Sequence, residues 1–162
     1  LRNLATVGGS IYSRFGFSDV LTMFLALNAS VELYKGGVVP LAEYAQRPYD
    51  RDILVRVLVP KENARFVYQS VRNSQTDFPV LTCAAAKLAD GSIRAAIGAR
   101  PGKAVLYTAA PEAGETAEKF AARFAAEVKA DIKTESNLRG GAEYRRHLAG
   151  VLTKRAVCRL EG

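Results

Sequence analysis

Three strand-like runs follow one another between Arg65 and Ala99, and they restrict the fold more than anything else in this chain. They cover Arg65 to Val71, Val80 to Leu88 and Ser92 to Ala99. Ala89-Asp90-Gly91 joins the second to the third. Asp-Gly between two such runs is a hairpin signal, because glycine accepts the positive φ that a tight reversal needs. Lys103 to Thr108 offers a fourth strand. Parallel neighbours need a long crossover, so strands joined this tightly predict an antiparallel sheet. From Gly114 the pattern turns helical. Thr116 to Ile132 is rich in Ala, Glu and Lys, with Phe120, Phe124 and Val128 on one face. After a loop from Lys133 to Gly141, a last helix runs from Ala142 to Arg159, with Tyr144, Leu148, Val151, Leu152 and Val157 inward. Strands followed by helices predict an α+β fold, with helices packed on one sheet face.

The first sixty residues read differently. A short β-prone run leads into Gly8-Gly9, flanked by the hydroxyls of Thr6 and Ser10. Adjacent glycines can take φ > 0, and successive N–H groups can then converge on an anion. The plain alternative is a tight strand-to-helix turn. Ser18 is placed to cap a helix reaching Asn28, with Asp19 in its positive first turn. Asn28 can close that helix in a left-handed conformation. Ser30 to Tyr34 alternates as a strand and stops at Gly36-Gly37. Pro40 to Gln46 reads as a short helix and Arg47 to Asp50 as loop. Asp52 to Val59 is a strand with apolar residues on both faces, expected to be buried on both sides. The boundary falls near Lys61. Residues 1–60 form an α/β segment too small to be stable alone, the second half of a larger domain, and residues 61–162 form the antiparallel sheet with its helices. The chain opens almost on top of the glycine pair, as a piece lacking its upstream part does.

Several functions are disfavoured. No apolar run is long enough to span a membrane. Cys83 and Cys158 stand far apart in apolar or amphipathic runs, which predicts two buried thiols in a reducing compartment and no metal site. The net charge of +7 raises nucleic acid as a partner. The basic residues are spread out, however, and gather only at Arg139, Arg145, Arg146, Lys154, Arg155 and Arg159, without interleaved aromatics. A solvated face, or one that docks an acidic protein, is the better reading.

Thr6-Val7-Gly8-Gly9-Ser10-Ile11 followed by Ser18-Asp19 and a helix resembles the second flavin-binding motif of the FAD subunit of molybdenum hydroxylases, the xanthine dehydrogenase and carbon monoxide dehydrogenase flavoproteins. The similarity continues through Asp52 to Pro60, Phe66 to Arg72, Asp77-Phe78-Pro79-Val80 and Ala142 to Leu152, in the family's order. It implies an oxidoreductase component of the cytoplasm that binds FAD. Electrons would reach the flavin from 2Fe-2S clusters and leave for an outside acceptor. An iron–sulfur subunit and a molybdopterin subunit would be the partners.

Carried over by position, the resemblance implies that Thr6, Val7, Gly8, Gly9 and Ser10 lie against the FAD pyrophosphate and ribityl chain, and that Asp19 accepts from cofactor hydroxyls. Tyr12 stands where an aliphatic residue is usual. Leu54 would touch the cofactor through apolar atoms or its main chain. Gln69 replaces a lysine found in some relatives, so it brings an amide and no positive charge. Asp77 would fix a turn. Family members carry a second Gly-rich loop upstream, so this segment would supply about half the pocket and retain FAD weakly or not at all. No catalytic nucleophile, base or metal ligand is nominated, and His147 reads as a surface residue. The competing reading is a non-enzymatic α+β module that docks through Arg145, Arg146, Lys154 and Arg155.

Overall fold

The computed structural model describes residues 4–61 and 65–161. In chain order its elements are α1 (Val7–Tyr12), α2 (Asp19–Ala26), β1 (Ser30–Leu33), β2 (Gly37–Pro40), α3 (Leu41–Gln46), β3 (Leu54–Leu58), β4 (Arg65–Val71), β5 (Leu81–Lys87), β6 (Ile93–Gly98), β7 (Val105–Ala109), α4 (Ala117–Asp131) and α5 (Ala142–Glu161). The strands form a three-stranded sheet, β2-β1-β3, and a four-stranded sheet, β4-β5-β6-β7. Every pairing is antiparallel. The fold is α+β, with the hairpin at Asp90-Gly91 closed by Gly91 at φ +82°.

The local signals explain most boundaries. Ser18 accepts the N–H of Leu21 at 3.2 Å, and Thr116 accepts that of Lys119, so both long-range-packed helices start on a side-chain cap. Asn28 sits at φ +55° just past α2, where a short polar side chain tolerates the left-handed region. Asp52 accepts the N–H groups of Lys35, Gly36 and Ile53, which fastens the β1–β2 turn to the start of β3.

The four-stranded sheet is covered on both faces. On one, Leu81, Cys83, Ala85, Ile93, Ala95 and Ile97 pack against Phe120, Phe124 and Val128 of α4 and Leu148, Leu152 and Val157 of α5. Burying one such large side chain contributes about 1.5–3 kcal/mol. On the other face, Ala84, Ala86 and Ala96 lie in one cluster with Leu21 and Leu25 of α2 and with Val31, Leu33 and Tyr44. Gly98 continues this small-residue floor, since a Cβ there would collide with the hydroxyls of Thr22 and Thr82. A Cβ at Gly16 would likewise run into the carbonyl oxygen of Gly102. Packing thus crosses the sequence boundary near Lys61.

Several expectations need correction. Gly8 and Gly9 lie inside α1 and neither has a positive φ, so no left-handed glycine loop forms. Thr6 caps that helix by accepting the N–H of Gly9 at 3.0 Å, and Ser18 Oγ tethers it by donating to the Ser10 carbonyl at 3.0 Å. β2 was not expected. β3 is not buried on both sides: it is an edge strand, with Val55 on it 49% exposed and Ile53 just before it 65% exposed. Tyr144 is half exposed, because its phase on α5 falls outside the arc that meets the sheet.

Arg145 departs furthest from expectation. It was placed on the solvated basic face and is fully buried. Its guanidinium donates to the carbonyls of Val80 (2.9 Å), Glu135 (2.7 Å) and Gly140 (2.5 Å) and to Asn137 Oδ1 (2.6 Å). Burial, then the nearby charge of Arg139, moves its pKa down from the ordinary value. The 135–140 loop is therefore built around a buried cation whose contacts are neutral oxygens.

Cys83 is buried, as expected, but Cys158 is exposed on α5. Burial pushes the Cys83 thiol up to about 12. A native chain is expected to react with one equivalent of a thiol reagent, and with a second only after unfolding. Two equivalents in the native state would contradict the packing of β5.

Arg123 makes a two-pronged pair with Glu115, at 3.0 and 2.8 Å. Its hydrogen bonds, followed by the Glu112 N–H, bring the Glu115 carboxyl down to about 2 from an ordinary 4.5. A carboxyl depressed on folding stabilises the fold above its unfolded pKa, and that stabilisation is lost as pH falls toward about 2. Melting temperature is expected to drop across this window, and less steeply in Glu115→Gln. Parallel curves for the two proteins would remove the pair from the stability account.

Candidate functional site

An open hollow of about 480 Å³ lies between α1 and the start of β3, lined by Gly8, Gly9, Tyr12, Asp52, Ile53 and Leu54. It forms because α1 turns its glycines outward. A Cβ at Gly8 would meet no atom within 4 Å, so the backbone there faces open space. At Gly9 a Cβ would stand 3.0 Å from Thr6 Oγ1, the cap itself. The first-turn N–H groups of Val7 and Gly8 have no partner within the helix, as at any helix start. Val7 is half exposed beside them. Tyr12 closes one end of the hollow, its hydroxyl donating to the Asp50 carbonyl at 3.2 Å. Leu54 is partly buried at the other wall, and Ile53 beside it is open to solvent.

Asp52 in this wall is occupied structurally. Its carboxylate accepts from the Lys35, Gly36 and Ile53 N–H groups, and these bonds hold its pKa below the usual carboxylate value.

Under Tyr12, Arg14 is buried at φ +50°. Its guanidinium lies 4.0 Å from the ring centre of Tyr44, 5.1 Å from Tyr49 and 5.7 Å from Tyr12, and donates to the Pro48 carbonyl at 2.8 Å. Tyr49 donates to the Ser13 carbonyl. The cage ties the end of α1 to the loop before β3 and so keeps the hollow's two walls together.

Asp19 stands one residue beyond Ser18, the residue tethered to Ser10. One carboxylate oxygen accepts from Tyr68 Oη at 2.7 Å and the other pairs with Arg72 Nη2 at 2.5 Å. Each oxygen keeps a second lone pair, so the carboxylate can still accept from a ligand hydroxyl. Burial, reinforced by Asp19, raises the Tyr68 phenol and keeps it a donor at neutral pH. Arg72 also donates to the Asp77 carbonyl at 2.6 Å. Asp77 accepts from the Phe78 N–H and pairs with Arg139 at 2.8 Å, so it does fix a turn. That turn carries Phe78 to 4.7 Å from the Phe17 ring, and Phe17 stacks on Phe15 at 5.0 Å.

Of the residues singled out in the sequence, Gly8, Gly9, Tyr12 and Leu54 line the hollow, Thr6, Val7 and Ser10 flank the two glycines along α1 and its cap, and Asp19 is joined to α1 through Ser18. Gln69 is not. It faces α5, where its amide donates to the Leu152 carbonyl at 3.1 Å. Strand alternation puts its neighbour Tyr68 on the α2 side. Tyr68, Arg72, Arg14 and Phe17 were missed. Tyr68 and Arg72 lay within a quoted run, and alternation along β4 was the available signal for the tyrosine. Among the described residues there is no cluster of His, Cys, Asp or Glu able to hold a metal and no helix long and apolar enough to cross a membrane.

The fold is that of the flavoprotein subunits of CO dehydrogenase-type molybdenum enzymes. The chain belongs to the CO dehydrogenase flavoprotein C-terminal domain family, which matches residues 66–160, and residues 1–62 match the FAD binding domain in molybdopterin dehydrogenase. FAD is the cofactor of that second family. Uncharacterized protein YgfM of Escherichia coli K12 is 27% identical over 152 residues, which are 94% of this chain and 57% of YgfM. The chain thus spans little more than half the length of this curated relative.

Solved structures with the same fold include quinoline 2-oxidoreductase from Pseudomonas putida 86, with a TM-score of 0.81, 21% identity, and coverage of 99% of this chain and 61% of that one. Carbon monoxide dehydrogenase from Hydrogenophaga pseudoflava, in a form lacking the Mo-pyranopterin moiety of the molybdenum cofactor, gives 0.82 and 23%, covering 98% and 61%. Reconstituted CO dehydrogenase from Oligotropha carboxidovorans gives 0.82 and 21%, covering 99% and 62%.

Proposed function

We propose that this chain supplies one wall of an FAD site in the flavoprotein component of a molybdenum-dependent hydroxylase or dehydrogenase of the CO dehydrogenase and xanthine dehydrogenase type. The observation that carries this reading is the outward-facing Gly8-Gly9 backbone in a hollow it shares with Tyr12 and Leu54. A phosphate takes N–H donors at short range where no bulky side chain stands, and the Val7 and Gly8 N–H groups, which have no partner within the helix, are the donors this surface offers. The residues present fit the group. Thr6 to Ser10 would hold the phosphate-bearing part, Asp19 would accept from its hydroxyls, and Leu54 and Ile53 would meet its apolar surface. Arg14 and Asp52 keep the two walls in register, while Tyr68 and Arg72 aim the Asp19 carboxylate.

When bound, FAD supplies the redox chemistry; the protein supplies placement and electrostatics. No protein nucleophile or base is required. An iron–sulfur subunit and a molybdopterin subunit would be the partners, and FAD held by Thr6 to Ser10, Asp19 and Leu54 would take electrons from the 2Fe-2S clusters and hand them to an external acceptor. The reading places the protein in the cytoplasm.

The test is the visible spectrum and FAD titration of the full-length polypeptide. A flavin spectrum is expected. Gly8→Val is expected to weaken FAD binding about tenfold or more, roughly 1.4 kcal/mol. The open space at Gly8 means that the fold tolerates the substitution, so circular dichroism should be unchanged. A colourless full-length protein that cannot be reconstituted with FAD would overturn the assignment.

A further inference from the structure

The outward face of α5 is a band of unpaired positive charge. Arg146, Lys154, Arg155 and Arg159 are all exposed on it. From the first to the last it runs about 20 Å along the helix axis. Lys129 of α4 widens the band, since a Cβ at Gly150 would touch its aliphatic stem. Among the described residues, neither Lys129 nor any of the four α5 Lys and Arg side chains has a carboxylate partner. Nearby acids are committed elsewhere: Glu161 to Lys87, Glu127 to Arg123, and Asp131 to the Tyr107 hydroxyl. Glu143, in the first turn of α5, and Glu118, in the first turn of α4, are acids of these two helices outside those pairs. Arg155 and Arg159, four residues apart, repel each other at this spacing.

We propose that this face docks a carboxylate-bearing surface of a separate protein in a weak, salt-sensitive encounter. A membrane-surface helix sets large apolar residues beside its lysines. The exposed large hydrophobic residue on α5 is Tyr144, at the N-terminal end beyond the band. Single-stranded nucleic acid calls for aromatic platforms between the charges, and the band has none. Permanent interfaces have an apolar core, whereas this face is charged throughout, which fits a transient complex steered by charge. α5 and α2 pack on opposite faces of the four-stranded sheet, so the partner sits away from the Gly8-Gly9 hollow. The inference therefore stands apart from the flavin reading.

Cys158 lies within the band and Cys83 is buried, which gives a native footprint. The rate of maleimide labelling at Cys158 in the full-length protein is measured with three probes. These are a helical peptide with glutamates at four-residue spacing, phosphatidylcholine–phosphatidylserine vesicles, and a single-stranded RNA oligonucleotide. The peptide is expected to slow labelling about tenfold when present near ten times its Kd. Protection should fade as salt is raised. Reversing Arg146, Lys154, Arg155 and Arg159 to Glu should abolish it. Reversing Lys35, Arg51, Lys119 and Lys133 to Glu makes the same change in net charge and should leave most of it. FAD binding is measured in both variants, so a failure of the cofactor assignment registers separately. The proposal is overturned if the peptide gives no protection, if both charge variants lose it equally, or if vesicles or RNA protect at lower concentration.

Discussion

Arg145→Met is expected to lower stability by about 3–5 kcal/mol, the largest effect of any single substitution considered. The range is that of leaving the buried Val80 carbonyl and part-buried oxygens beside it without the guanidinium's N–H groups. Methionine fills much of the volume but donates nothing. The carbonyls of Val80 and Glu135 would then lose the guanidinium, while the Gly140 carbonyl and the Asn137 amide oxygen keep the N–H groups of Asn137 and Arg139. Buried acceptors without donors cost about 1–3 kcal/mol each before relaxation. Lysine should recover only part of the loss, because a single ammonium cannot reproduce the planar fork that reaches four oxygens. The measurement is a urea unfolding curve, read as a fall in midpoint at unchanged slope. A midpoint within experimental error of the parent would mean that the 135–140 loop does not depend on the guanidinium. Arg146→Met, one residue on, is exposed and should leave the curve in place.

Asp19→Ala is expected to weaken FAD binding by about ten- to a hundredfold, as loss of charge-assisted hydrogen bonds of roughly 1.5–3 kcal/mol implies. It also strips Tyr68 and Arg72 of their shared acceptor. Tyr68→Phe separates the two roles: it leaves the carboxylate in place, still paired with Arg72, and removes one of the groups that aim it. Its FAD affinity should fall between those of the parent and Asp19→Ala. FAD titration followed by flavin fluorescence measures both. Equal affinities across the three proteins would exclude the carboxylate from the site.

Legibility in the sequence followed the range of the interactions involved. The strands of the four-stranded sheet and the Ser18 cap were readable because each is fixed by neighbours within a few residues. Asn28 and Gly91 were readable for the same reason. β2 escaped because Gly37 to Pro40 is four residues wedged between a glycine pair and a proline, too short to show alternation. α1 escaped because helix propensity argues against two adjacent glycines. The Ser18–Ser10 tether and the Thr6 cap supply what propensity lacks.

Edge position, which leaves β3 half exposed, is a property of the assembled sheet and cannot be read from β3 alone. Arg145 could have been found: it shares the inward arc of α5 with Leu148, Ala149 and Leu152, where a solvated guanidinium has no place. Gln69 could have been turned away from the hollow by counting one residue from Tyr68. The candidate site was legible as a set of residue types. Its alignment, through the Arg14 cage and the Tyr68–Asp19–Arg72 contact, joins residues far apart in sequence and so left no local trace.

The alanines beneath α2 act as a height gauge. Ala84, Ala86 and Ala96, continued by Gly98, set how closely the helix can settle on the sheet, and Asp19 rides on its first turn. A single methylene added to that floor would raise the helix like a shim. The carboxylate would then part from the Tyr68 hydroxyl, although no residue of the hollow had changed. On the proposed flavin reading, cofactor affinity would therefore depend on two of the plainest residues of the sequence, Ala84 and Ala86.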